Sequence, residues 1–241
     1  MKIEDFKKKF KNNDKLAIVG TASTWKDAPY GDNGFDIWGL NGLHGYFSNP
    51  NSPAKASDFD LWFNIHDISG VKKQEVHMSF LNSGKVPVVM KEHYSEVPKS
   101  IKYPWQQILN RYRHYHESTF SWLVCLAMEM GYKHIDWYGT HLSSEDEYRN
   151  QRPNLEYFLG LAEGRGIEIG IPSDADILQS RILYAVEDKG ELEQKFDHEI
   201  EGLTERAQGI KNQRDQLSMQ LERYKGAIDR DKYWRRILTG K

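Results

Sequence analysis

His66 and Glu92 are the two side chains best placed along the sequence to move protons, since each follows a short apolar run. Histidine changes charge near neutral pH, and a strand-end position is rigid enough to aim it. A capping role is the competing reading for His66. Glu92 could act as a base or orient a sugar hydroxyl. An anion could be received by Gly20, Thr21 and Ser23, where small residues let the backbone approach and hydroxyls donate. The same stretch also reads as a structural tight turn, and it is neither a GxGxxG fingerprint nor a Walker A sequence. Asn41 carries an amide that both donates and accepts, which suits the edge of a base or sugar. Asn41-Gly42 reads equally as an Asx turn. Further along, Tyr148 could stack on a ring. Arg149 and Arg152 could grip a phosphate through their planar forks, or form surface ion pairs. Glu156, one turn into the helix that follows, could bind a ribose hydroxyl or simply favour the positive helix end. Metal chemistry finds little support. His114 and His116 stand two apart and would diverge on a helix, and neither HExxH nor a cysteine cluster is present. A divalent cation carried in with a nucleotide phosphate is the metal role left open.

These residues need a scaffold, and the apolar runs supply one. The runs 16–20, 35–41, 60–66, 86–90, 134–139 and 167–171 read as strands, several of them apolar on both faces. Pro87 either weakens the fourth as a strand or stands at the strand start. Helices are expected over 72–81, over 118–130 with Ser118 as N-cap and Gly131 as stop, and over 153–163 after Pro153. This βαβ rhythm predicts an α/β, Rossmann-like, mostly parallel sheet over residues 1–175, with ligands outside the carboxyl ends of its strands.

From about residue 176 the character changes. Apolar side chains recur in steps of four and three at Phe196, Ile200, Leu203, Ala207, Ile210, Leu217, Leu221, Tyr224 and Ile228, with Arg214 interrupting the series. That spacing predicts a long coiled-coil helix within 176–241, and a homo-oligomer formed through residues 187–230. Gly190, Gly202 and Gly209 each weaken such a helix by roughly 1 kcal/mol relative to alanine, so a partner is expected to support it. Packing back on the parent domain is the alternative.

With 33 basic against 35 acidic residues, the chain has no broad attraction for DNA or RNA, and nucleic acid is not an expected partner. Its single cysteine, Cys125, lies in an apolar run and reads as a buried structural thiol. The opening residues lack the apolar stretch of a secretory leader, and no window approaches about 18 apolar residues. A cytoplasmic protein without a membrane span is expected.

The segments LAIVGTAS (16–23), DIWGLN (36–41) and QRPNLEY (151–157) resemble those of Rossmann-like proteins of bacteriophages and prophages, over roughly residues 15–175. The arrangement is also similar to that of the pterin-diphosphokinase and sialyltransferase-like group. That similarity implies a nucleotide-shaped pocket. The phage resemblance implies a role in nucleotide metabolism, nucleic-acid modification or evasion of host defence. Three functions stay open: a transferase or hydrolase acting on a nucleotide or nucleotide-linked substrate, a non-catalytic nucleotide-binding protein, and an oligomeric interaction module.

Overall fold

The strands can lie side by side in parallel because most of them are apolar on both faces. In β1 (Lys15–Val19) every residue after Lys15 is buried, with Leu16 and Ile18 in one core cluster and Ala17 and Val19 in the other. The computed structural model describes residues 1–49, 51–140, 142, 147–172, 175, 177–180, 183, 185–186 and 189–239. The chain divides into two compact units, Met1–Gln179 and Ser180–Lys241.

The first unit holds a seven-stranded sheet in the order β5-β4-β3-β2-β1-β6-β7. Its members are β1, β2 (Phe35–Leu40), β3 (Leu61–Asn64), β4 (Val88–Met90), β5 (Ile101–Lys102), β6 (His134–Tyr138) and β7 (Glu168–Gly170). All neighbouring pairs run parallel. Six of these strands match the apolar runs. β5 is new, a two-residue edge strand too short to leave a sequence pattern. Pro87 precedes β4, where its carbonyl accepts from the Trp62 amide at 2.9 Å.

Helices cover both faces. α1 (Ile3–Phe10) buries Ile3, Phe6 and Phe10, whose steps of three and four mark one side of a helix. The helix expected over 72–81 is α3 (Glu75–Asn82), preceded by a short turn of helix that was not expected, α2 (Ile68–Val71). Asp67 caps α2 by accepting from the Ser69 amide at 2.9 Å. After α4 (Trp105–Leu109) comes α5 (Thr119–Met130), which starts at Ser118 and stops at left-handed Gly131, as its sequence requires. α6 (Arg152–Gly164) carries Pro153 in its first turn. Side chains of α1, α4, α5 and α6 pack in the cluster on one face of the sheet, those of α2 and α3 in the other. The second unit contains α7 (Lys189–Thr239). Among the described residues no helix is long and apolar enough to cross a membrane.

The winding direction reverses between β1 and β6, so a crevice is expected outside their carboxyl ends. There the two backbones touch. The Gly20 amide donates to Tyr138 O at 2.8 Å and the Ala22 amide to Gly139 O at 2.9 Å. The Gly139 amide in turn donates to Thr24 Oγ1 at 2.8 Å. A Cβ on Gly20 would stand 2.3 Å from Gly139 O, and one on Gly139 would stand 2.5 Å from Gly20 O. Gly139 also has φ of 64°, a region that disfavours side chains. At the opposite end of the sheet, wholly buried Asp36 has both oxygens occupied. They accept from the Asn12 and Asn13 amides at 2.9 and 3.2 Å, from Asn13 Nδ2 at 2.9 Å and from Tyr132 Oη at 2.7 Å.

Replacing either glycine of the touching pair by alanine is expected to lower stability by about 3 kcal/mol, because backbone must move. Denaturant midpoints of Gly20→Ala and Gly139→Ala measure this; a loss under about 0.5 kcal/mol would contradict the close approach.

Candidate functional site

Outside the carboxyl ends of β1, β2 and β3 lies a cavity of about 500 Å³. Thr21, Asn41 and His66 reach it from the three strand ends, and Trp105 from α4. His116 to Phe120, leading into α5, and Trp122 form the opposite wall, with Gln151 beside them. A second cavity of about 370 Å³ shares Asn41 and His66 and extends to Asn64 and His77. A third, of about 490 Å³, lies by β6 and β7 and includes Thr24, Asp136, Tyr138 and Gly170. All three have volumes that suit a small ligand.

Polar atoms at the rim of β2 and β3 lack partners. Asn41 adopts φ of 50°, and its carbonyl accepts from Trp62 Nε1 at 3.3 Å. Its side-chain Oδ1 is buried with no partner among the described residues. Asn64 is 1% exposed, and its Nδ2 is likewise unpartnered. Its Oδ1 accepts from His77 Nε2 at 3.1 Å. Neutral His77 then presents a bare Nδ1, which accepts from His44 Nε2 at 2.6 Å. A buried polar group left unpaired costs about 1–3 kcal/mol, so this pair of amides stands ready for a ligand carrying both a donor and an acceptor.

On the facing wall the His116 imidazole is sandwiched between Trp122 and Phe158, with centroids 3.7 and 4.4 Å away. Ser121 Oγ spends its proton on Ser118 O at 2.8 Å, so toward His116 Nδ1, 3.1 Å away, it accepts. Nδ1 therefore carries the proton of the neutral ring, and Nε2, buried and unpartnered, keeps its lone pair. Burial, helped by His114, pushes the His116 pKa down to about 4. Burial, helped by His77, does the same to His44, also to about 4. His77 is lowered by burial and by nearby His66.

The site therefore collects some expected residues and not others. Thr21, Asn41 and His66 share the first cavity, and Gly20 adjoins it through Thr21. Ser23 instead opens a 3₁₀ turn, Ser23–Asp27, and is exposed. Glu92 ion-pairs with Lys102 of β5 at 2.7 Å and does not line the cavity. Arg152 Nε donates to Glu156 Oε1 at 2.8 Å, which also accepts from the Leu178 amide at 2.8 Å. With Arg152 Nη2 on Gln179 O at 3.1 Å, the pair clasps the chain after β7 rather than lining the cavity. Arg149 is exposed in a turn of π-helix. The side chain of Tyr148 lies outside the described residues. Asn64 and His116 belong to the site and carried no expectation of ligand binding. Among the described lining residues the one carboxylate is Glu117, and no lysine or arginine is present. An anion there would meet the amides and hydroxyls at the positive end of α5. Among the described residues, no group of three or more His, Cys, Asp or Glu is arranged to hold a metal ion.

No family model matches the chain, and no curated protein matches it. Among solved structures, it is similar to an alpha-2,3-sialyltransferase from Campylobacter jejuni in apo form, at 15% identity and TM-score 0.48, covering 70% of this chain and 78% of that one. It is also similar to the sialyltransferase CstII from Campylobacter jejuni in complex with CMP-3FNeuAc, at 14% identity and TM-score 0.45, covering 76% and 98%. These likenesses concern the run of the chain, and no residue role passes through them.

The lowered histidines make stability depend on pH. An unfolded chain takes up their protons near pH 6.5, while the folded His44 and His116 resist until about 4. The unfolded state binds more protons in that window, so stability falls as pH drops through it. His134 is shifted the other way: burial is outweighed by hydrogen bonds to Glu168 and Asp136, so its contribution is lost only above its ordinary value. Calorimetry is expected to show Tm declining from pH 6.5 to 4, with a shallower slope in His116→Phe; an identical slope would remove His116 from this account.

Proposed function

We propose that the chain is an enzyme that binds a nucleotide-linked substrate outside the carboxyl ends of β1–β3 and transfers or hydrolyses the linked group. The observation that carries this reading is the pair of buried, unpartnered amide atoms, Asn41 Oδ1 and Asn64 Nδ2, at neighbouring strand ends. An acceptor beside a donor matches the hydrogen-bonding edge of a base or the hydroxyls of a ribose. A phosphate would be taken by the N-terminal turn of α5, where Ser118 and Thr119 line the cavity, with Thr21 facing it. With no cationic side chain among the described lining residues, the wall suits one phosphate better than three. Any divalent cation would arrive on the nucleotide's own phosphates.

His66 is the proton carrier in this reading, since it borders both cavities and stays exposed enough to exchange protons with solvent. His116 serves differently. Its Nε2 is a poor base at a pKa of about 4, and it accepts a hydrogen bond that orients the substrate. Glu92, paired with Lys102, takes no part. Glycosyl transfer and phosphoryl transfer both fit this division of labour. The resemblance to phage and prophage proteins would set the reaction in nucleotide metabolism or nucleic-acid modification.

Nucleoside mono-, di- and triphosphates and nucleotide sugars, screened by calorimetric titration and by mass spectrometry of products, test the proposal. Monophosphate-linked compounds are expected to bind at least as well as triphosphates. Asn41→Ala is expected to weaken binding about 10- to 100-fold. His66→Ala is expected to reduce kcat by about 10²–10⁴ while leaving binding largely intact. Binding without turnover would make this a nucleotide-sequestering protein, and turnover unchanged in His66→Ala would end the assignment of that residue.

A further inference from the structure

The second unit shows its apolar seam to solvent. Ile210, Leu217, Leu221, Tyr224 and Ile228 of α7 are 68%, 65%, 54%, 70% and 51% exposed. With Arg214 standing between the first two, they fall at steps of four and three, a repeat of 3.5 residues, whereas a straight helix turns once in 3.6. The stripe therefore drifts by about 20° per heptad, or roughly 90° between Phe196 and Ile228. A flat surface cannot cover such a stripe along its whole length. A second helix of the same period, wound around it, can.

We propose that α7 pairs with α7 of a second copy of this chain as an antiparallel, two-stranded coiled coil centred near residue 212. The seam residues themselves set the direction. In a parallel pair like positions meet, so Arg214 faces Arg214 and Ala207 faces Ala207, which places two guanidinium groups together and leaves a gap two turns away. In the antiparallel pair, Arg214 faces Ile210 of the partner subunit, along which its aliphatic stem can lie. Its guanidinium stays on Asp215, bonded through Nε and Nη2 at 3.0 and 2.7 Å. Ala207 then meets Leu217 of the partner subunit, small against large. Ile200 meets Tyr224 of the partner subunit, and Phe196 meets Ile228 of the partner subunit. Outside the seam, exposed Asp197 comes opposite Lys225 of the partner subunit, an attraction the two-fold axis repeats at the other end. Exposed Lys211 meets its own copy at the axis, where both ammonium groups can turn to solvent.

Sedimentation of the full chain is expected to give the mass of a dimer, falling by half in the double variant Leu217→Asp, Leu221→Asp. Direction is read by cysteine cross-linking under mild oxidation, in which wholly buried Cys125 takes no part. The double variant Ile200→Cys, Tyr224→Cys is expected to form covalent dimers, and each single variant to form none. Far-UV circular dichroism confirms that the variants keep their helix. A monomeric or higher mass for the unmodified chain overturns the proposal, as does cross-linking of either single variant to itself, which only a parallel pair allows.

Discussion

Backbone contact between Gly20 and Gly139 is the constraint around which the first unit is arranged. It draws together the ends of the two strands where the winding reverses, and it leaves no room there for any side chain. With that point closed, the space outside the sheet divides. One cavity opens toward β2 and β3 and another toward β6 and β7. Thr24 belongs to the same arrangement, since its hydroxyl holds the Gly139 amide while its residue borders the second space. The glycine that reads as an anion loop in the sequence is thus first a joint between strands, and its neighbour Thr21 is what reaches the cavity.

The two ends of the sheet treat buried polarity in opposite ways. Beneath the amino ends, Asp36 is sealed from water with four donors on its oxygens, so its burial is compensated and the connection before β1 is pinned. Above the carboxyl ends, Asn41, Asn64 and His116 each keep one buried atom without a partner. A fold able to satisfy a carboxylate so fully has no general shortage of donors. Two core indoles, Trp38 Nε1 and Trp137 Nε1, are also buried without a partner among the described residues, and the other three such atoms lie where parallel sheets place their ligands.

Much of the fold was legible because burial on both faces forces continuous apolar runs, and six such runs became strands. Two residues of β5 cannot form a pattern, and α1 was overlooked although Ile3, Phe6 and Phe10 carry helical spacing. Thr21, Asn41 and His66 could be named because a polar residue directly after an apolar run sits at a strand end. Asn64 could not, since it stands within the run and reads there as one more buried strand residue. His116 depended on rings at Trp122 and Phe158, the second of them far away in sequence, and on a serine whose proton was already committed. Arg152 and Glu156 stand four apart on a helix, a spacing that permits the mutual pairing seen here as readily as a grip on phosphate.

The stacking of His116 also gives the cavity its own spectroscopic label. Circulating π-electrons in the flanking indole and phenyl rings shield nuclei held above their faces, and this imidazole has a ring on each side. Among nine histidines, its carbon-bound protons should therefore resonate upfield, as should those of His44, which stacks on Phe80 and His77. A molecule entering beside Nε2 would move the His116 line and leave that of His44 in place.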